Sequence, residues 1–283
     1  MSKTIQFPGN VTLPAIGQGT WYMGEKASLR KQEIEALQSG LDLGLKLIDT
    51  AEMYAEGGAE EVVGEALQGR RQSACLVSKV YPWNAGLVDA IEACERSLRR
   101  LRTDYLDLYL LHWRGNVPLE ETIRAMETLQ RDGKIRSWGV SNFDSEDLRE
   151  LLSEEGGKAC AANQVLYHLG SRGIEYDLLP VCQQQQIPVM AYCPLAQAGR
   201  LRRDLMEHPG LGKIAQQKSI SVAQLLLAWV IRKEGVIAIP KASSVDHVAE
   251  NAAALDVVLS SEELALINQS FPPPTEKMVL EVV

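Results

Sequence analysis

Four side chains with acid–base chemistry stand at, or just beyond, the ends of short apolar runs in this 283-residue chain. Asp49 and Lys79 each end a run, Tyr54 follows shortly after Asp49, and His112 ends a third run. A lysine cation can stabilise a tyrosine phenolate, and an aspartate can hold that lysine in place. A histidine can orient a carbonyl oxygen. The set is suited to protonating an oxyanion as it forms, which is what reduction of a carbonyl by hydride requires.

Taken singly, each of these residues also fits a purely structural role. Asp49 and Lys79 would make an ordinary ion pair. Tyr54 would be a loop tyrosine, and His112 would be a histidine satisfied within the core. Their joint placement on successive strand ends is what favours the catalytic interpretation.

Eight short apolar runs, separated by segments with a 3.6-residue period, are predicted as strands covered on both faces. The runs are 15–19, 46–49, 75–79, 106–112, 137–141, 161–164, 189–192 and 236–240. Strands that alternate with helices fit either a closed parallel barrel or an open doubly wound sheet. The segment 17–22 lacks the third glycine of a dinucleotide-binding turn, and no helical pattern follows it promptly. A (β/α)8 TIM barrel is therefore predicted, with its active site at the C-terminal strand ends.

The segment 5–13 is predicted as a β-hairpin that precedes the barrel and turns at Pro8-Gly9-Asn10. Capping boxes at Ser221 and Ser260 mark the starts of two helices near the C-terminus. No linker or repeat divides the chain, so residues 1–283 are expected to form one domain.

Composition excludes several classes of partner. The net charge of −8 argues against binding to nucleic acid or to an anionic membrane surface. No apolar run is long enough to span a bilayer, and the first residues do not look like a signal peptide. The five cysteines lack a metal-binding spacing, and their number is odd, which indicates reduced thiols in the cytoplasm. The expected partner is a small molecule, with no metal.

Six motifs in order along the chain resemble those of the aldo-keto reductases. They are LIDTA at 47–51 with Tyr54, SKV at 78–80, LLHW at 110–113, GVSNF at 139–143, NQVLYH at 163–168 and IPK at 239–241. The resemblance extends over roughly 5–271. It implies an NADPH-dependent reductase of aldehydes and ketones, in which Tyr54 donates the proton and Asp49, Lys79 and His112 complete a catalytic tetrad.

The same resemblance assigns residues to an NADPH/NADP⁺ cofactor. Ser141, Asn142 and Gln164 match residues that hold the nicotinamide carboxamide, Tyr192 matches the ring that stacks on the nicotinamide, and Lys241 matches the cation that meets the 2′-phosphate. The full set of expected cofactor contacts is Thr20, Trp21, Asp49, Ser141, Asn142, Gln164, Tyr192, Leu195, Lys241, Ser244, His247 and Asn251.

Two positions depart from the family pattern around the adenosine half of the cofactor. Ala242 stands where the family often has serine, and His247 stands where it often has an arginine against the adenine. An arginine would supply a permanent cation and a good stacking partner. NADPH binding is therefore predicted to be weaker than in relatives that carry the arginine.

The predicted substrate pocket consists of Trp21, Trp83, His112 and Trp113, because the tryptophans follow the first, third and fourth strands. The segment 114–118 and the C-terminal tail are short, which predicts an open site. Small aldehydes or dicarbonyls such as methylglyoxal would suit it, and the chain is similar to short-tailed bacterial members that reduce methylglyoxal. By resemblance, the chain is expected to be a monomer.

Two alternatives belong to other functional classes. One is a catalytically idle, nicotinamide-binding regulatory subunit on the same fold, since a fold does not fix a function. The other is a metal-dependent barrel hydrolase with Asp49 and His112 as ligands. The chain has only four histidines, without an HxH pair or an HExxH helix, and this argues against the hydrolase. A redox role for Cys193, next to Tyr192, is left open.

Overall fold

A computed structural model of the chain describes residues 3–7, 9 and 11–283. Its centre is a sheet of eight parallel strands, each paired with the next along the chain. In chain order they are β3 (Gln18–Gly19), β4 (Leu47–Asp49), β5 (Cys75–Val80), β6 (Leu106–Leu111), β7 (Ile135–Ser141), β8 (Asn163–Leu166), β9 (Val189–Tyr192) and β10 (Val236–Ala238). All eight predicted strands are present.

The first and last strands meet, so the sheet closes into the predicted barrel. Gly17 N–H donates to Ala238 O at 2.8 Å, Ala238 N–H donates to Ala15 O at 2.9 Å, and Gly19 N–H donates to Pro240 O at 3.0 Å. A Cβ atom at Gly19 would lie 2.6 Å from Ile239 O, so only glycine allows this close approach. The predicted strand 236–240 ends early, at Ala238, because Pro240 has no N–H to extend the ladder.

Helices separate the strands and form the outer layer. They are α1 (Arg30–Asp42), α2 (Gly58–Ala66), α3 (Leu87–Leu101), α4 (Leu119–Arg131), α5 (Ser145–Ser153), α6 (Leu178–Gln184), α7 (Arg200–Met206), α8 (Pro209–Gln217), α9 (Val222–Val230), α10 (Val245–Ala253) and α11 (Ser261–Ser270). The two predicted capping boxes are present, with Ser221 and Ser260 each accepting from the backbone three residues on. Within the described part of the chain, no helix is long and apolar enough to cross a membrane.

The predicted N-terminal hairpin is confirmed as two antiparallel strands, β1 (Thr4–Phe7) and β2 (Val11–Pro14). Gly9, in the predicted turn, has φ +79°, while Pro8 and Asn10 lie outside the described residues. Ile5, Phe7 and Leu13 are buried in one cluster with side chains of the barrel strands. The hairpin therefore packs its apolar face against the barrel interior, away from the strand ends that carry polar side chains.

Candidate active site

The barrel brings the four acid–base side chains together at its C-terminal end. Asp49 is the last residue of β4, Lys79 lies at the end of β5, and His112 directly follows β6. Tyr54 begins a short 3₁₀ turn, Tyr54–Gly57, that leads into α2. Parallel strands in register place these side chains side by side, as the sequence predicts.

The backbone after Tyr54 is unusual. Ala55 and Glu56 have φ of 50° and 52°, and Gly57 follows at 93°. A Cβ atom at Gly57 would also meet the Arg100 side chain at 2.6 Å. Left-handed conformations are costly for residues other than glycine and persist where the surroundings impose them. Here they turn the chain sharply between Tyr54, which is buried, and the start of α2.

Lys79 is the centre of the hydrogen-bond network. Its ammonium donates to Asp49 Oδ2 at 2.8 Å, to Thr50 O at 2.9 Å and to Tyr54 Oη at 2.9 Å. The side chain is completely buried. An ammonium has three N–H donors, and all three are used. The Tyr54 oxygen is thereby held beside a fixed cation.

The pKa shifts differ from the expectation that Lys79 lowers the pKa of Tyr54. Burial raises the pKa of Tyr54 well above its ordinary value, and the charge of Asp49 raises it further. Burial also lowers the pKa of Lys79, against the opposing attraction of Asp49. Burial prevails because removing a phenolate or an ammonium from water penalises the charged form. Tyr54 is consequently held as the protonated phenol, the form that a proton donor requires.

His112 is a neutral imidazole in this environment. Burial, followed by the charge of Lys79, lowers its pKa to about 2. Its buried Nδ1 has no hydrogen-bond partner among the described residues. Its ring meets that of Tyr54 edge-on, with ring centroids 5.9 Å apart. A neutral imidazole keeps one N–H donor, so His112 and Tyr54 can both donate to an oxygen placed between them.

A cavity of about 340 Å³ opens above Asp49, Tyr54 and His112, and these three residues are called its floor below. Twelve of the predicted site residues line it, namely Thr20, Trp21, Asp49, Tyr54, His112, Trp113, Ser141, Asn142, Gln164, Tyr192, Leu195 and Lys241. Lys79 lies beneath the floor. Ser244, His247 and Asn251 belong to the start and middle of α10 and do not line the cavity. The structure thus divides the predicted cofactor residues into a cavity group and an α10 group.

One part of the cavity lining, here called the amide wall, is a network of amides and hydroxyls formed by Ser141, Asn142, Gln164 and Tyr192. The Tyr192 hydroxyl donates to Asn142 Oδ1 at 2.8 Å, and Asn142 Nδ2 donates to His112 O at 3.1 Å. Ser141 Oγ donates to Gln164 O at 2.9 Å, and Gln164 Nε2 donates to Asp49 Oδ1 at 2.8 Å. These groups are fixed before any ligand arrives, as expected of a preorganised binding wall.

The α10 group lies outside the cavity lining, and its members differ in exposure. The Ser244 hydroxyl caps the helix by accepting from the His247 N–H. His247 is exposed, whereas Asn251 is buried. Lys241 lies between this group and the cavity, is exposed, and pairs with no carboxylate of the described residues. A free cation at this point fits an anionic group such as a phosphate.

One predicted substrate-pocket residue lies elsewhere. Trp83 does not line the cavity and is 62% exposed. It stacks on Tyr81, with ring centroids 4.2 Å apart, and meets Trp113 edge-on at 5.7 Å. Glu52 accepts from Tyr81 N–H and Asn84 Nδ2, which fixes this loop. Trp83 thus lies beside Trp113 on the solvent side and outside the lining of this cavity, and its contact with substrate stays a prediction.

Sequence reasoning missed two parts of the cavity. The segment after β9 contributes six lining residues from Pro194 to Arg202, of which only Leu195 was predicted, and Gln197 donates to the Tyr22 hydroxyl at 3.2 Å. The tail, expected only to be short, runs back over the barrel, and Val283 also lines the cavity. Lys277 pairs with Glu146 at 2.5 Å along this path. Neither segment has a periodic pattern, although the positive-φ residues of the loop mark a tight turn.

The remaining open questions concern thiols and metals. All five cysteines are free, and burial raises the pKa of the Cys193 thiol to about 11. A thiol with such a pKa carries little thiolate near pH 7, which argues against redox sensitivity. Among the described residues, no cluster of three His, Cys, Asp or Glu side chains is placed to hold a metal ion.

The sequence profile of the Aldo/keto reductase family matches residues 15–271, which include every strand of the barrel. The chain belongs to this family. The aldo/keto reductase is 65% identical to "Methylglyoxal reductase YeaE" of Escherichia coli (strain K12) over 281 residues, 99% of each chain. It is 35% identical to "Glyoxal reductase" of Bacillus subtilis (strain 168), over 95% of this chain and 92% of that one.

A crystal structure of an aldo/keto reductase from Klebsiella pneumoniae in complex with NADP and acetate is also similar to this aldo/keto reductase. Sequence identity is 62%, the TM-score is 0.98, and the match covers 100% of both chains. The residues present here fit a nicotinamide cofactor. Lys241 offers a cation without an ion-pair partner in the described structure, and the amide oxygen of Gln164 has no donor among the described residues.

Proposed function

We propose that this chain is an NADPH-dependent carbonyl reductase that converts small aldehydes and dicarbonyls such as methylglyoxal into alcohols, with Tyr54 as the general acid. The observation that carries the proposal is the 2.9 Å contact between Lys79 Nζ and Tyr54 Oη at the floor of a cavity. The relatives support the substrate class, since a protein 65% identical to this one is named a methylglyoxal reductase.

A bound nicotinamide supplies the hydride that reduces the carbonyl carbon. Tyr54 then transfers its phenolic proton to the carbonyl oxygen, so that the alcohol gains one hydride and one proton. The Lys79 cation stabilises the phenolate that remains, and Asp49 keeps Lys79 in place and charged. Neutral His112 orients the carbonyl oxygen toward Tyr54 by donating a hydrogen bond. Solvent returns the proton to Tyr54 after turnover.

The cofactor would lie between the amide wall and the α10 group. Lys241 would bind the 2′-phosphate, which distinguishes NADPH from NADH. Ser244, His247 and Asn251 would contact the adenosine, and Leu195 would cover the cofactor from the loop after β9. Ser141, Asn142 and Gln164 would hold the carboxamide, and Tyr192 would stack on the nicotinamide ring. Thr20, Trp21 and Asp49 would complete the contacts.

The substrate would enter between aromatic side chains. Trp21 stacks on the Tyr54 ring at 6.3 Å, and the Trp113 ring lies 5.0 Å from that of His112. A molecule as small as methylglyoxal would contact these rings only. A larger aromatic aldehyde would extend past Trp113 and reach Trp83, which lies outside the cavity. We also propose a monomeric, single-domain enzyme of the cytoplasm, consistent with five free thiols.

The test follows NADPH consumption with methylglyoxal and, in parallel, with benzaldehyde. Wild-type protein should reduce both, and Tyr54→Phe should bind NADPH with unchanged affinity while losing turnover. NADPH binding without turnover of either aldehyde by the wild type would favour the regulatory-subunit alternative. Size-exclusion chromatography with light scattering tests the monomer, whose expected mass is the 31.2 kDa of one chain.

A further inference from the structure

Gln164 contacts different groups at the two ends of its side-chain amide. Its Nε2 donates to Asp49 Oδ1 at 2.8 Å. Its Oε1 has no donor among the described residues, and the side chain lines the cavity while being almost completely buried. The orientation of the amide is fixed by chemistry, because an ionised carboxylate only accepts hydrogen bonds. The oxygen of Gln164 is therefore the end available to a ligand.

Asp49 depends on Gln164 for half of its hydrogen bonding. The two carboxylate oxygens take one side-chain donor each: Lys79 donates to Oδ2 and Gln164 donates to Oδ1. Asp49 is almost completely buried. A buried carboxylate that loses a donor is destabilised in its charged form, and without Gln164 the remaining side-chain donor to Asp49 among the described residues is Lys79.

The backbone holds both partners rigidly. Gln164 lies in β8, in register with Ser141 of β7 and with Met190 of β9. The Ser141 hydroxyl donates to the Gln164 carbonyl at 2.9 Å, while the Thr20 hydroxyl donates to the Asp49 carbonyl at 2.9 Å. The contact between Gln164 and Asp49 therefore spans the barrel between two fixed strands, far apart in sequence.

We propose that Gln164 is a positioning residue that links the cofactor cavity to the proton donor. Its N–H group orients Asp49 and stabilises the carboxylate charge. Asp49 in turn orients Lys79 and stabilises its positive charge, and Lys79 orients the Tyr54 oxygen by donating a hydrogen bond to it. Its free oxygen accepts from an amide N–H of the nicotinamide. This inference rests on the proposed function and goes beyond it, since it gives Gln164 a role in proton transfer.

The two hydrogen bonds of one amide reinforce each other. A donor bound at Oε1 polarises the amide and strengthens the N–H group at the other end. Cofactor binding would thus strengthen the hold on Asp49, and through it the hold on Lys79, whose pKa burial lowers and Asp49 raises. Lys79 would then be held more firmly as a cation beside the Tyr54 oxygen when the cofactor is in place.

The experiment compares wild type with Gln164→Met, which keeps the side-chain length but removes the N–H donor. Single-turnover hydride transfer is measured from pH 5 to pH 10 with NADPH already bound and methylglyoxal added. We expect the rate constant at pH 7 to fall about 10- to 100-fold, as for loss of a hydrogen bond to a buried charge, with a shifted pH profile. NADPH affinity, measured by quenching of protein fluorescence, should fall as well.

A double-mutant cycle with Asp49→Asn tests whether Gln164 affects proton transfer through its contact with Asp49. If Gln164 acts through Asp49, Gln164→Met should change the rate constant less than about threefold in the Asp49→Asn background. Gln197→Met is the matched control: it removes the same kind of amide from the cavity lining, at a residue that donates to the Tyr22 hydroxyl and contacts neither Asp49 nor Gln164. It should leave the pH profile of hydride transfer unmoved.

Two results would overturn the inference. One is a Gln164→Met enzyme that needs more NADPH but keeps the wild-type rate constant and pH profile at saturation. The other is a cycle in which the two substitutions have independent effects. The same double-mutant cycle, measured by thermal unfolding of the proteins without cofactor, tests the contact between Gln164 and Asp49 independently of turnover. An inactive wild type would refute the proposed function, whereas additive unfolding effects would refute this inference even in an active enzyme.

Discussion

Two lysines at the same end of the barrel have opposite surroundings. Lys79 is completely buried, and its three donors are taken by Asp49, Thr50 and Tyr54. Lys241 is exposed, and no carboxylate of the described residues pairs with it. A cation enclosed by fixed acceptors suits chemistry at a neighbouring atom, whereas a free cation suits binding of an anion from solution. The floor of the cavity is thus suited to catalysis, whereas the cofactor end is suited to binding the cofactor tightly.

The largest effect is expected at the floor. Lys79→Met should reduce kcat by about 10²- to 10⁴-fold, because the Tyr54 phenolate loses the cation that stabilises it. The dissociation constant of NADPH should change little, since Lys79 does not line the cavity. Steady-state kinetics with methylglyoxal and a fluorescence titration with NADPH measure the two quantities. A small loss in kcat would show that Tyr54 can donate its proton without stabilisation of its phenolate by Lys79.

At the cofactor end we expect the opposite result, namely a change in the dissociation constant of NADPH without a change in kcat. Lys241→Met should raise the dissociation constant of NADPH about 10- to 100-fold, as for loss of a charge-assisted contact to phosphate, and should leave NADH binding unchanged. The value of kcat at saturating NADPH should stay near that of the wild type. Equal weakening for both nucleotides would place Lys241 away from the 2′-phosphate.

A third prediction concerns the stability of the floor toward acid. The pKa of His112 is lowered from 6.5 to about 2, so the unfolded chain takes up a proton below pH 6.5 that the folded protein does not. Stability due to neutral His112 is therefore present above pH 6.5 and is lost as the pH falls, by about 1.4 kcal/mol at pH 5.5. Urea unfolding at pH 8 and at pH 5.5 measures this loss of stability, which should be smaller for His112→Gln than for the wild type.

His168 offers the matched comparison for this effect. Its pKa is lowered to about 4, also by burial, so it contributes to acid sensitivity with the same sign. It lies at a turn after β8 and does not line the cavity. His168→Gln should therefore reduce the acid sensitivity while turnover is retained. Unchanged acid sensitivity in both variants would contradict the assignment to buried neutral histidines.

Trp83, which lies beside Trp113 outside the cavity lining, should affect the binding of large substrates only. Trp83→Ala should raise KM for an aldehyde with two aromatic rings about 3- to 10-fold, as for loss of one stacking contact, and should leave KM for methylglyoxal unchanged. Val88→Ala, which truncates another exposed apolar side chain nearby in sequence, is the control. A parallel rise in KM for methylglyoxal would mean that Trp83 shapes the cavity through Trp113.

The smallest effect is expected on the exposed face of α10. His247→Arg should tighten NADPH binding about two- to fivefold by adding a permanent cation and a stacking partner. Fluorescence titration measures it, with NADH as the reference. If the affinity for NADPH does not increase, the family difference at position 247 has no bearing on cofactor binding.

The sequence predicted the parts of the site that strand geometry determines. Once Asp49, Lys79 and His112 are placed at strand ends, parallel pairing brings them together whatever the loops do. The position of Trp83 outside the cavity lining could not be predicted, because it follows β5 in a loop whose path depends on Glu52, a contact that spacing does not reveal. The tail and the loop after β9 have no periodicity, and their positions depend on tertiary contacts.

The link between Gln164 and Asp49 also escaped sequence reasoning, for a different reason. Both residues were expected at the site, Gln164 as a cofactor contact and Asp49 as a member of the tetrad and a cofactor contact, but no hydrogen bond between them was predicted. They are 115 positions apart, and only barrel closure brings the amide within 2.8 Å of the carboxylate. A motif identifies residue types, whereas a shared hydrogen bond becomes visible only when both strands are in place.

The junction of the first and last strands has a consequence for dynamics. Gly17, Gly19 and Ala238 each donate a backbone N–H across it, and Gly19 and Lys241 both line the cavity. These amides can exchange with deuterium only when the cylinder opens along that line. Their exchange rates therefore report the opening frequency of the barrel, and a ligand that bridges both edges should slow all three together.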